Sequence, residues 1–400
     1  MTLAPRSLDD LRLSLGLPFV LDDVGRVIVS AQTTEQIALA TRYANDRKLA
    51  IELRGAGTKL SWGNPVHADI VLDTTNLTGV KGHSWQDLTA TVAAGTPWST
   101  MQQTLSRHNQ QVALDPLWPA RATVGGVIAT NDSGALRLKY GSLRDLIIGM
   151  TIVLADGTIA KSGGKVVKNV AGYDLHKLMT GAFGTLGVIA DVTFRLHPIP
   201  SHTQTWTVTS STADCLGKLL LSILNSQLST QAMQLRTRAD GYALDVQLAT
   251  LPEALTLQLA VLKELSTQAA LDTCWSENSE TIFTTREQLL DESGGLVIKA
   301  TMLPSAIGQL TTEVVKLGGT AVTQATGIML ARFSEDAQAA SPELLALVRT
   351  AGNGSITVLR RSNPSTSPWR VEQASPLAAT IKAQFDPNRT LNPGRFLDGI

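Results

Sequence analysis

A glycine-rich loop supplies the first residues whose types and spacing could do chemistry. It follows a short strand-like run, Leu49–Leu53, and reads Arg54-Gly55-Ala56-Gly57-Thr58-Lys59-Leu60-Ser61-Trp62-Gly63. Glycine lets successive backbone N–H groups turn to one side, and small residues let a phosphate approach the main chain. The pattern therefore predicts an anion-binding loop. It is not a Rossmann turn, because the third glycine and the following helix are missing, and its spacing does not match a P-loop.

Two further segments are rich in glycine. Pro119–Gly134 mixes glycines with Thr, Asn and Ser, and Gly181–Ile189 places three glycines before a strand-like run. Between them the chain passes through Tyr140-Gly141. Such segments combine backbone donors with short hydroxyl and amide side chains, which suit phosphate, a ribityl chain and the polar edge of a flavin ring. Three of them in one α+β domain favour an extended dinucleotide site over separate structural turns.

The elements that must position these segments alternate between strand and helix patterns. In the first 200 residues we predict strands at Val27–Ser30, Leu49–Leu53, Asp69–Asp73, Leu88–Ala94 and Gly187–Leu196, an Asp156-Gly157 hairpin joining Met150–Ala155 to Thr158–Ser162, and helices at Thr33–Asn45 and from Pro97 to His108. Further on we predict strands at Gln204–Thr209, Tyr242–Leu248, Leu296–Met302, Gly327–Phe333 and Ser355–Leu359, and helices at Asp214–Asn225, Pro252–Ala269, Pro304–Leu317, Pro342–Thr350 and Leu377–Phe385.

A proline-flanked stretch at 197–202 marks a domain boundary, because glycines become rarer beyond it and no histidine occurs from 203 to 400. The fold class is α+β. We expect one domain over residues 1–199, with two lobes that divide near residue 75, and a second α+β domain over 200–376. The segment 377–400 is expected to return to the first domain.

Composition excludes several classes of protein. The 34 basic and 34 acidic side chains cancel, which argues against a nucleic-acid binder, and 43% hydrophobic residues argue against disorder. The two cysteines, Cys215 and Cys274, belong to no zinc-type cluster, so we expect no structural metal, and we favour two buried thiols over one disulfide between them. The N-terminal residues lack a signal-peptide pattern, and no apolar run is long enough to span a membrane. We expect a cytoplasmic protein, with peripheral membrane contact at most.

The order of these motifs, with KNVAGYDLHKLMTGAFGTLGVI and the terminal FDPNRTLNPGRF, resembles the FAD-linked oxidase family of vanillyl-alcohol oxidase type. Within that family it is similar to the FAD-binding subunits of glycolate oxidases. The strong part of the resemblance covers about 24–200 and 380–400. It implies a two-lobed FAD-binding domain followed by an α+β cap domain, with FAD held in an extended pose between the lobes.

The resemblance also implies which residues bind FAD. Arg54–Leu60 would hold the pyrophosphate, the backbone of Val188-Ile189 would meet the adenine, and Asn392 would return the C-terminus to the flavin edge. The full set is Arg54, Gly55, Ala56, Gly57, Thr58, Lys59, Leu60, Thr123, Gly125, Gly126, Thr130, Asn131, Ser133, Gly134, Tyr140, Gly141, Val188, Ile189 and Asn392.

Some members of the family anchor FAD through a loop histidine. Here the loop offers Thr58, Lys59 and Ser61 instead, so we expect non-covalent binding. His67 and His83, which lie nearby in sequence, are interpreted as surface or core residues.

Catalysis is harder to assign. Oxidation of a 2-hydroxy acid needs a base and a cation for the carboxylate, and histidine is the commonest base near neutral pH. The histidine-rich, metal-binding cap of related dehydrogenases cannot exist in a segment without histidine. Possible substitutes are Tyr242, Arg332, Arg360, Arg361 and Arg370, each of which is more simply a solvated or salt-bridged side chain.

His176 lies just beyond Asp174, which we interpret as the N-cap of a helix over Leu175–Gly181. His176 is therefore not chosen as a base, and the catalytic residues stay unassigned.

Two functional hypotheses follow. In the first, the chain is the FAD-binding subunit of a multi-subunit glycolate dehydrogenase that forms glyoxylate. A sister flavoprotein subunit would then carry the catalytic histidines, and an iron–sulfur subunit would take the electrons. In the second, the chain is a self-sufficient FAD-dependent oxidoreductase of another alcohol or hydroxy acid. A structural subunit that has lost FAD is disfavoured by the intact glycine-rich segments.

Overall fold

The structure is a computed structural model of the 400-residue chain. It describes residues 17–164, 173–269, 275–277, 281–291, 294–334, 342–361, 367–369 and 376–400. Cys274, Arg370 and residues 165–172 of the family motif, on which predictions were made, lie outside the described residues.

The elements are numbered in chain order. The strands are β1 (Phe19–Leu21), β2 (Val27–Ser30), β3 (Ile51–Arg54), β4 (Ile70–Asp73), β5 (Val80–Ser84), β6 (Thr89–Ala93), β7 (Gln110–Gln111), β8 (Ile147–Val153), β9 (Ile159–Gly163), β10 (Val188–Arg195), β11 (His197–Pro198), β12 (Thr203–Ser210), β13 (Thr230–Arg238), β14 (Gly241–Ala249), β15 (Ser276–Glu277), β16 (Leu296–Thr301), β17 (Thr320–Gln324), β18 (Ile328–Phe333) and β19 (Ile356–Arg360). The helices are α1 (Thr34–Arg47), α2 (Trp98–Ser106), α3 (Val124–Ala129), α4 (Arg137–Tyr140), α5 (Leu143–Leu146), α6 (Leu175–Met179), α7 (Ala213–Leu224), α8 (Pro252–Gln268), α9 (Thr281–Asp291), α10 (Ile307–Lys316), α11 (Pro342–Thr350) and α12 (Pro376–Phe385).

The chain divides into two compact units. The first contains Met1–Ser133, Ser142–Ile199 and Glu372–Ile400, and the second contains Gly134–Gly141 and Pro200–Val371. The C-terminal segment thus groups with the first unit. The short piece Gly134–Gly141 groups with the second unit, whereas the sequence analysis placed it in the first domain.

The first unit begins with a small mixed sheet. Its strand order is β1-β2-β4-β3, in which β2, β4 and β3 run parallel and β1 is antiparallel. Helix α1 starts after Thr33, whose Oγ1 accepts from the Gln36 N–H at 3.2 Å, as the capping pattern predicts. Buried aliphatic side chains such as Val29 and Ile37 form the core of this lobe. Strand β3 ends at Arg54, where the glycine-rich loop begins.

A second, antiparallel sheet completes the first unit, with the order β5-β6-β10-β8-β9. The predicted hairpin joins β8 to β9, and Gly157 adopts a φ of 82° in its turn. Helix α2 follows Pro97, which is the N-cap residue rather than the first helical residue that we predicted. Trp98 and Phe194 are fully buried against each other, with ring centroids 5.9 Å apart.

A buried ion pair fastens the C-terminal segment within the first unit. The Lys382 ammonium donates to Asp386 Oδ2 at 2.7 Å and to the carbonyls of Thr185 and Leu391 at 2.7 and 2.9 Å. Burial lowers the pKa of Lys382, and Asp386 opposes that effect by stabilising the charged form. Because all three ammonium donors find acceptors, the pair anchors the residues that lead to Asn392.

The second unit is built on an antiparallel eight-stranded sheet. Its order is β15-β12-β14-β13-β17-β18-β16-β19. Apolar residues of one sheet face, such as Leu244 and Leu235, share a core with residues of α7 and α10. Asp245, on the alternate face, is fully buried and accepts from Arg236 Nε at 2.8 Å and Thr207 Oγ1 at 2.7 Å. The predicted α+β class therefore holds for this unit as well.

Sequence patterns missed several elements. Strands β13 and β17 and helices α3 and α9 lie where no element was predicted. Asp174 is the N-cap residue of α6, as predicted, but its side chain makes no capping hydrogen bond and pairs instead with Lys177 at 2.7 Å. None of the helices that the structure describes is long and apolar enough to cross a membrane.

Candidate functional site

The Arg54–Leu60 loop presents a row of open backbone donors. Within the part of the chain that the structure describes, the N–H groups of Gly55, Ala56, Gly57, Thr58 and Lys59 donate to no protein acceptor. Gly57 has a φ of 73°, a conformation that favours glycine, and it turns the chain back so that Leu60 N–H reaches its carbonyl at 3.3 Å. Consecutive unsatisfied N–H groups in such a turn are what an anion-binding nest requires.

Two neighbouring segments hold this loop in place. Arg395 donates to the carbonyls of Lys59 and Leu60 at 3.2 and 3.1 Å. Gly55 passes so close to Thr123 that a Cβ at this position would lie 2.3 Å from the Thr123 Oγ1. Burial lowers the pKa of Arg395, and the nearby Glu52 carboxylate raises it. The loop is therefore fixed by contacts that leave its donors open.

The second glycine-rich segment forms helix α3, and its first-turn donors are already satisfied. Val124 N–H donates to the Thr96 carbonyl at 2.9 Å, and Gly125 N–H donates to the Ala94 carbonyl at 2.7 Å. The Oγ1 of the N-cap residue Thr123 accepts from Gly126 N–H at 3.3 Å. These groups thus serve the fold, and a role for them in binding phosphate stays a prediction.

The third segment passes close to α3. Gly181 and Phe183 donate their N–H groups to the carbonyls of Ile128 and Ala129 at 3.0 and 2.8 Å. Gly184 follows with a φ of 70°, and a Cβ there would lie 2.8 Å from Asn392 Nδ2. Glycine is required at this position by both the backbone conformation and the close approach.

Asn392 joins three segments through its side chain and main chain. Its Oδ1 accepts from Leu53 N–H at 2.8 Å, and its Nδ2 donates to the Phe183 carbonyl at 2.7 Å. Its own N–H donates to the Ile51 carbonyl at 2.8 Å. Its φ of 42° lies in the left-handed region that asparagine tolerates better than most residues. Asn392 therefore shapes the site from the C-terminal segment.

These segments enclose two contiguous clefts in the first unit. One has an empty volume of about 530 Å³ and the other about 450 Å³. Both are lined by Leu53, Gly55, Gly126, Ala129, Phe183 and Asn392, so they form one elongated groove. The groove runs from the Arg54–Leu60 loop to the start of β10, a shape that suits an extended ligand.

Most of the residues named from the sequence line this groove. They are Arg54, Gly55, Ala56, Gly57, Thr58, Lys59, Leu60, Thr123, Gly125, Gly126, Thr130, Val188, Ile189 and Asn392. Asn131 and Ser133 do not line it, although they follow α3 directly. Gly134, Tyr140 and Gly141 belong to the second unit. Burial raises the pKa of Tyr140.

Sequence reasoning missed some of the residues that line the groove. They are Leu53, Thr74, Ala94, Ala129, Met179, Ala182, Phe183, Gly184, Gly187 and Arg395. Several of these stand inside the motifs that carry the family resemblance, including Arg395 in FDPNRTLNPGRF. The sequence motif therefore contained a signal for Arg395, but only the tertiary structure shows that Arg395 contacts the phosphate loop.

None of the candidate bases within the described residues lines the groove. His176 is buried beside Ser162, whose Oγ lies 3.1 Å from its Nδ1, and burial lowers its pKa. His67 is exposed, and His83 contacts Gln110 at 2.9 Å. These placements agree with the interpretation of His67 and His83 as surface or core residues and with the decision not to choose His176 as a base.

The second-unit residues that could replace a catalytic histidine lie in a core or in partly buried positions. Tyr242 belongs to the apolar core. Burial lowers the pKa of Arg360, and the positive charge of Arg332 lowers it further. Burial also lowers the pKa of Arg361. Among the described residues, no group of three or more His, Cys, Asp or Glu side chains could hold a metal ion.

The family model described as "FAD binding domain" matches residues 25–163. This part of the chain is similar to that family. The match includes the Arg54–Leu60 loop, helix α3 and the β8–β9 hairpin, so it supports the predicted cofactor class, FAD, through residues that line part of the groove.

Curated relatives match about two fifths to one half of the chain. D-lactate dehydrogenase of Archaeoglobus fulgidus is 37% identical over 43% of this chain and 39% of the relative. Glycolate oxidase subunit GlcD of Bacillus subtilis is 31% identical over 50% of this chain and 43% of the relative. Glycolate oxidase subunit GlcE of Escherichia coli is 34% identical over 38% of this chain and 44% of the relative. The matched part spans less than half the length of each of these relatives.

Solved structures share the fold over nearly the whole chain. Glucooligosaccharide oxidase from Acremonium strictum has a TM-score of 0.70 at 15% identity and covers 98% of this chain and 99% of its own. 4-Ethylphenol oxidase from Gulosibacter chungangensis has a TM-score of 0.68 at 13% identity, with coverage of 92% and 88%. The predicted fold class, a two-lobed FAD-binding domain of vanillyl-alcohol oxidase type followed by an α+β domain, is confirmed.

Proposed function

We propose that this chain binds FAD non-covalently and is the FAD-binding subunit of a multi-subunit 2-hydroxy-acid dehydrogenase that oxidises glycolate to glyoxylate. The observation that carries the proposal is the row of open N–H groups at Gly55–Lys59, which lies within the segment matched to an FAD-binding domain and lines an elongated groove. When bound, FAD supplies the electron acceptor for oxidation of the alcohol carbon.

Different parts of the groove would bind different parts of the cofactor. The loop donors suit the pyrophosphate, because backbone N–H groups held in place stabilise negative charge without moving. The apolar end of the groove, near Val188 and Ile189, suits the adenine. Arg54 lines this end as well, with a guanidinium whose Nε lies 3.7 Å from Glu52 Oε1.

Non-covalent attachment is supported by the composition of the groove. Its lining, among the described residues, contains no histidine, cysteine or tyrosine, the side chains best suited to become bonded to a flavin ring. The test is to purify the chain, record its absorbance, and precipitate it with acid. We expect flavin bands in the native protein and free flavin in the supernatant. Flavin that stays with the pellet would contradict non-covalent binding, and a colourless protein that takes up no FAD would refute the proposal.

The subunit role is supported by the histidine-free sequence from 203 to 400 and by relatives whose printed names are glycolate oxidase subunits GlcD and GlcE. We propose that a sister flavoprotein subunit carries the catalytic histidines and that an iron–sulfur subunit accepts the electrons. The complex would be cytoplasmic, with peripheral membrane contact at most.

Two measurements test the subunit role. Affinity purification of this chain from its own cells should recover a second flavoprotein and a cysteine-rich iron–sulfur protein. The isolated chain, loaded with FAD, should oxidise glycolate at a negligible rate. Rapid turnover of glycolate or D-lactate by the isolated chain would instead support a self-sufficient oxidoreductase.

A further inference from the structure

A lysine in the phosphate loop lines the groove, yet its ammonium is paired with a buried carboxylate. The Lys59 side chain is only 4% exposed, and its Nζ lies 3.2 Å from Asp132 Oδ2 and 3.5 Å from the Leu117 carbonyl. The rings of Trp62 and Trp118 flank the ammonium at 5.7 and 5.6 Å. The Lys59 ammonium therefore already has acceptors and aromatic neighbours within the protein.

Asp132 connects the loop to two other segments. Its side chain is 3% exposed, and its Oδ2 also accepts from the Leu117 N–H at 2.8 Å. Its own N–H donates to the Val127 carbonyl in α3 at 3.1 Å. The pair thus joins the phosphate loop to the chain before α3 and to α3 itself.

The orientation of the loop's donors follows from how its carbonyls are held. Because a peptide unit is planar and trans, fixing its C=O directs its N–H to the opposite side. The Gly57 carbonyl accepts from Leu60 N–H, which turns the Thr58 N–H away from the interior of the turn. The Lys59 carbonyl is held by Arg395 while the Lys59 side chain is held by Asp132. Lys59 is therefore fixed at both ends.

We propose that Lys59 and Asp132 are a positioning pair that holds the Arg54–Leu60 main chain in its anion-binding form before any ligand arrives, and that the Lys59 ammonium does not contact the phosphate. This inference rests on the proposed function, since the phosphate in question is the pyrophosphate of FAD. Removing either partner of a buried pair leaves an uncompensated charge, so either single substitution is expected to disturb the loop.

A double-mutant cycle separates positioning from direct contact. Lys59→Met, Asp132→Asn and the double variant are titrated with FAD and with ADP, which carries the same pyrophosphate. Lys81→Met is the matched control, because Lys81 forms a 2.9 Å pair with Asp191 in the second sheet and lines neither cleft.

For a positioning pair, each single variant should lose FAD and ADP affinity by about tenfold or more, and the double variant should lose no more than the worse single one, since coupled residues are not additive. The control should bind as the wild type does. Direct contact predicts the opposite pattern: Lys59→Met loses affinity, while Asp132→Asn, with its lysine released, binds as tightly or more tightly. That pattern would overturn the inference.

Acylation of the wild-type protein provides a second measurement that needs no variant. In the flavin-free protein, Lys59 should resist an amine-acylating reagent that modifies Lys81, whose side chain is 41% exposed. Mass spectrometry that finds Lys59 modified without FAD and protected with FAD would contradict the positioning role. Failure of the wild type to bind either FAD or ADP would refute the proposed function itself, whereas normal binding by both single variants would refute only the pair.

Discussion

The Arg54–Leu60 loop and the Thr123–Thr130 segment line the same groove, yet their backbone donors differ. In the loop, Gly55 through Lys59 donate to no acceptor among the described residues. In the second segment, Val124, Gly125 and Gly126 all donate to protein oxygens. Both segments are rich in glycine, and both were expected to supply donors to a phosphate.

The difference shows that glycine serves two purposes here. In the loop it permits a positive φ at Gly57 and a close approach at Gly55, which together leave the donors open. In α3 it permits close packing, since a Cβ at Gly125 would lie 3.0 Å from the Ala94 Cβ. We therefore expect loop substitutions to weaken FAD binding and α3 substitutions to weaken the fold.

The largest effect is expected from Gly55→Val. A Cβ at this position would lie 2.3 Å from the Thr123 Oγ1, so the loop must move away from the groove. Overpacking of roughly 1–3 kcal/mol predicts a loss of FAD affinity of about 5- to 150-fold. Fluorescence titration measures it, with Gly82→Val as the control, because Gly82 has open space around its Cβ position. Unchanged FAD affinity in Gly55→Val would contradict a role for the loop in FAD binding.

Gly125→Ala should act mainly on stability. Its Cβ would meet the Ala94 Cβ at 3.0 Å and the Ala94 carbonyl at 3.2 Å, and the Ala94 main chain is held by its hydrogen bond to the Ala190 carbonyl. We expect the free energy of unfolding to fall by about 1–2 kcal/mol, as measured by urea denaturation without FAD. A loss of FAD affinity larger than that of Gly55→Val, with unchanged stability, would reverse the comparison.

Thr123→Ala removes the cap of α3 and releases the Gly126 N–H. Loss of an N-cap side chain costs about 1 kcal/mol of unfolding free energy. We expect this loss in thermal or urea unfolding. The FAD affinity should stay within about threefold of the wild type, which corresponds to less than about 1 kcal/mol of binding free energy. A much larger drop in affinity, at wild-type stability, would mean that the Thr123 hydroxyl contacts the cofactor, as the family resemblance implies.

Gly126→Ala should have the smallest effect on the fold. Its Cβ would meet only the Thr123 Oγ1, at 3.1 Å, and alanine favours a helix over glycine by about 1 kcal/mol. These effects oppose each other, so the unfolding free energy should change by less than about 0.5 kcal/mol. Measured beside Gly125→Ala, this variant shows whether packing against Ala94 sets the requirement for glycine. Equal destabilisation by both would contradict that explanation.

Local sequence signals predicted much of the framework. The Thr33 cap, the Asp156-Gly157 hairpin and the helix after Pro97 depend on residues close together in sequence, and all three are present. Part of the groove lining could also be named, because the resemblance points to those residues. Helix α3 could not be predicted, since its two glycines disfavour a helix and its first donors depend on the carbonyls of Ala94 and Thr96.

The sequence by itself determined where the phosphate loop lies, that the chain has two α+β units, and that histidine is absent after residue 202. These depend on residue type and local spacing. Only the tertiary structure decided which glycine-rich segment keeps its donors open, that Lys59 pairs with Asp132, and that Arg395 holds the loop from the C-terminal segment. Hydrogen bonds and ion pairs between distant segments are set by how the chain packs, and no local pattern records their partners.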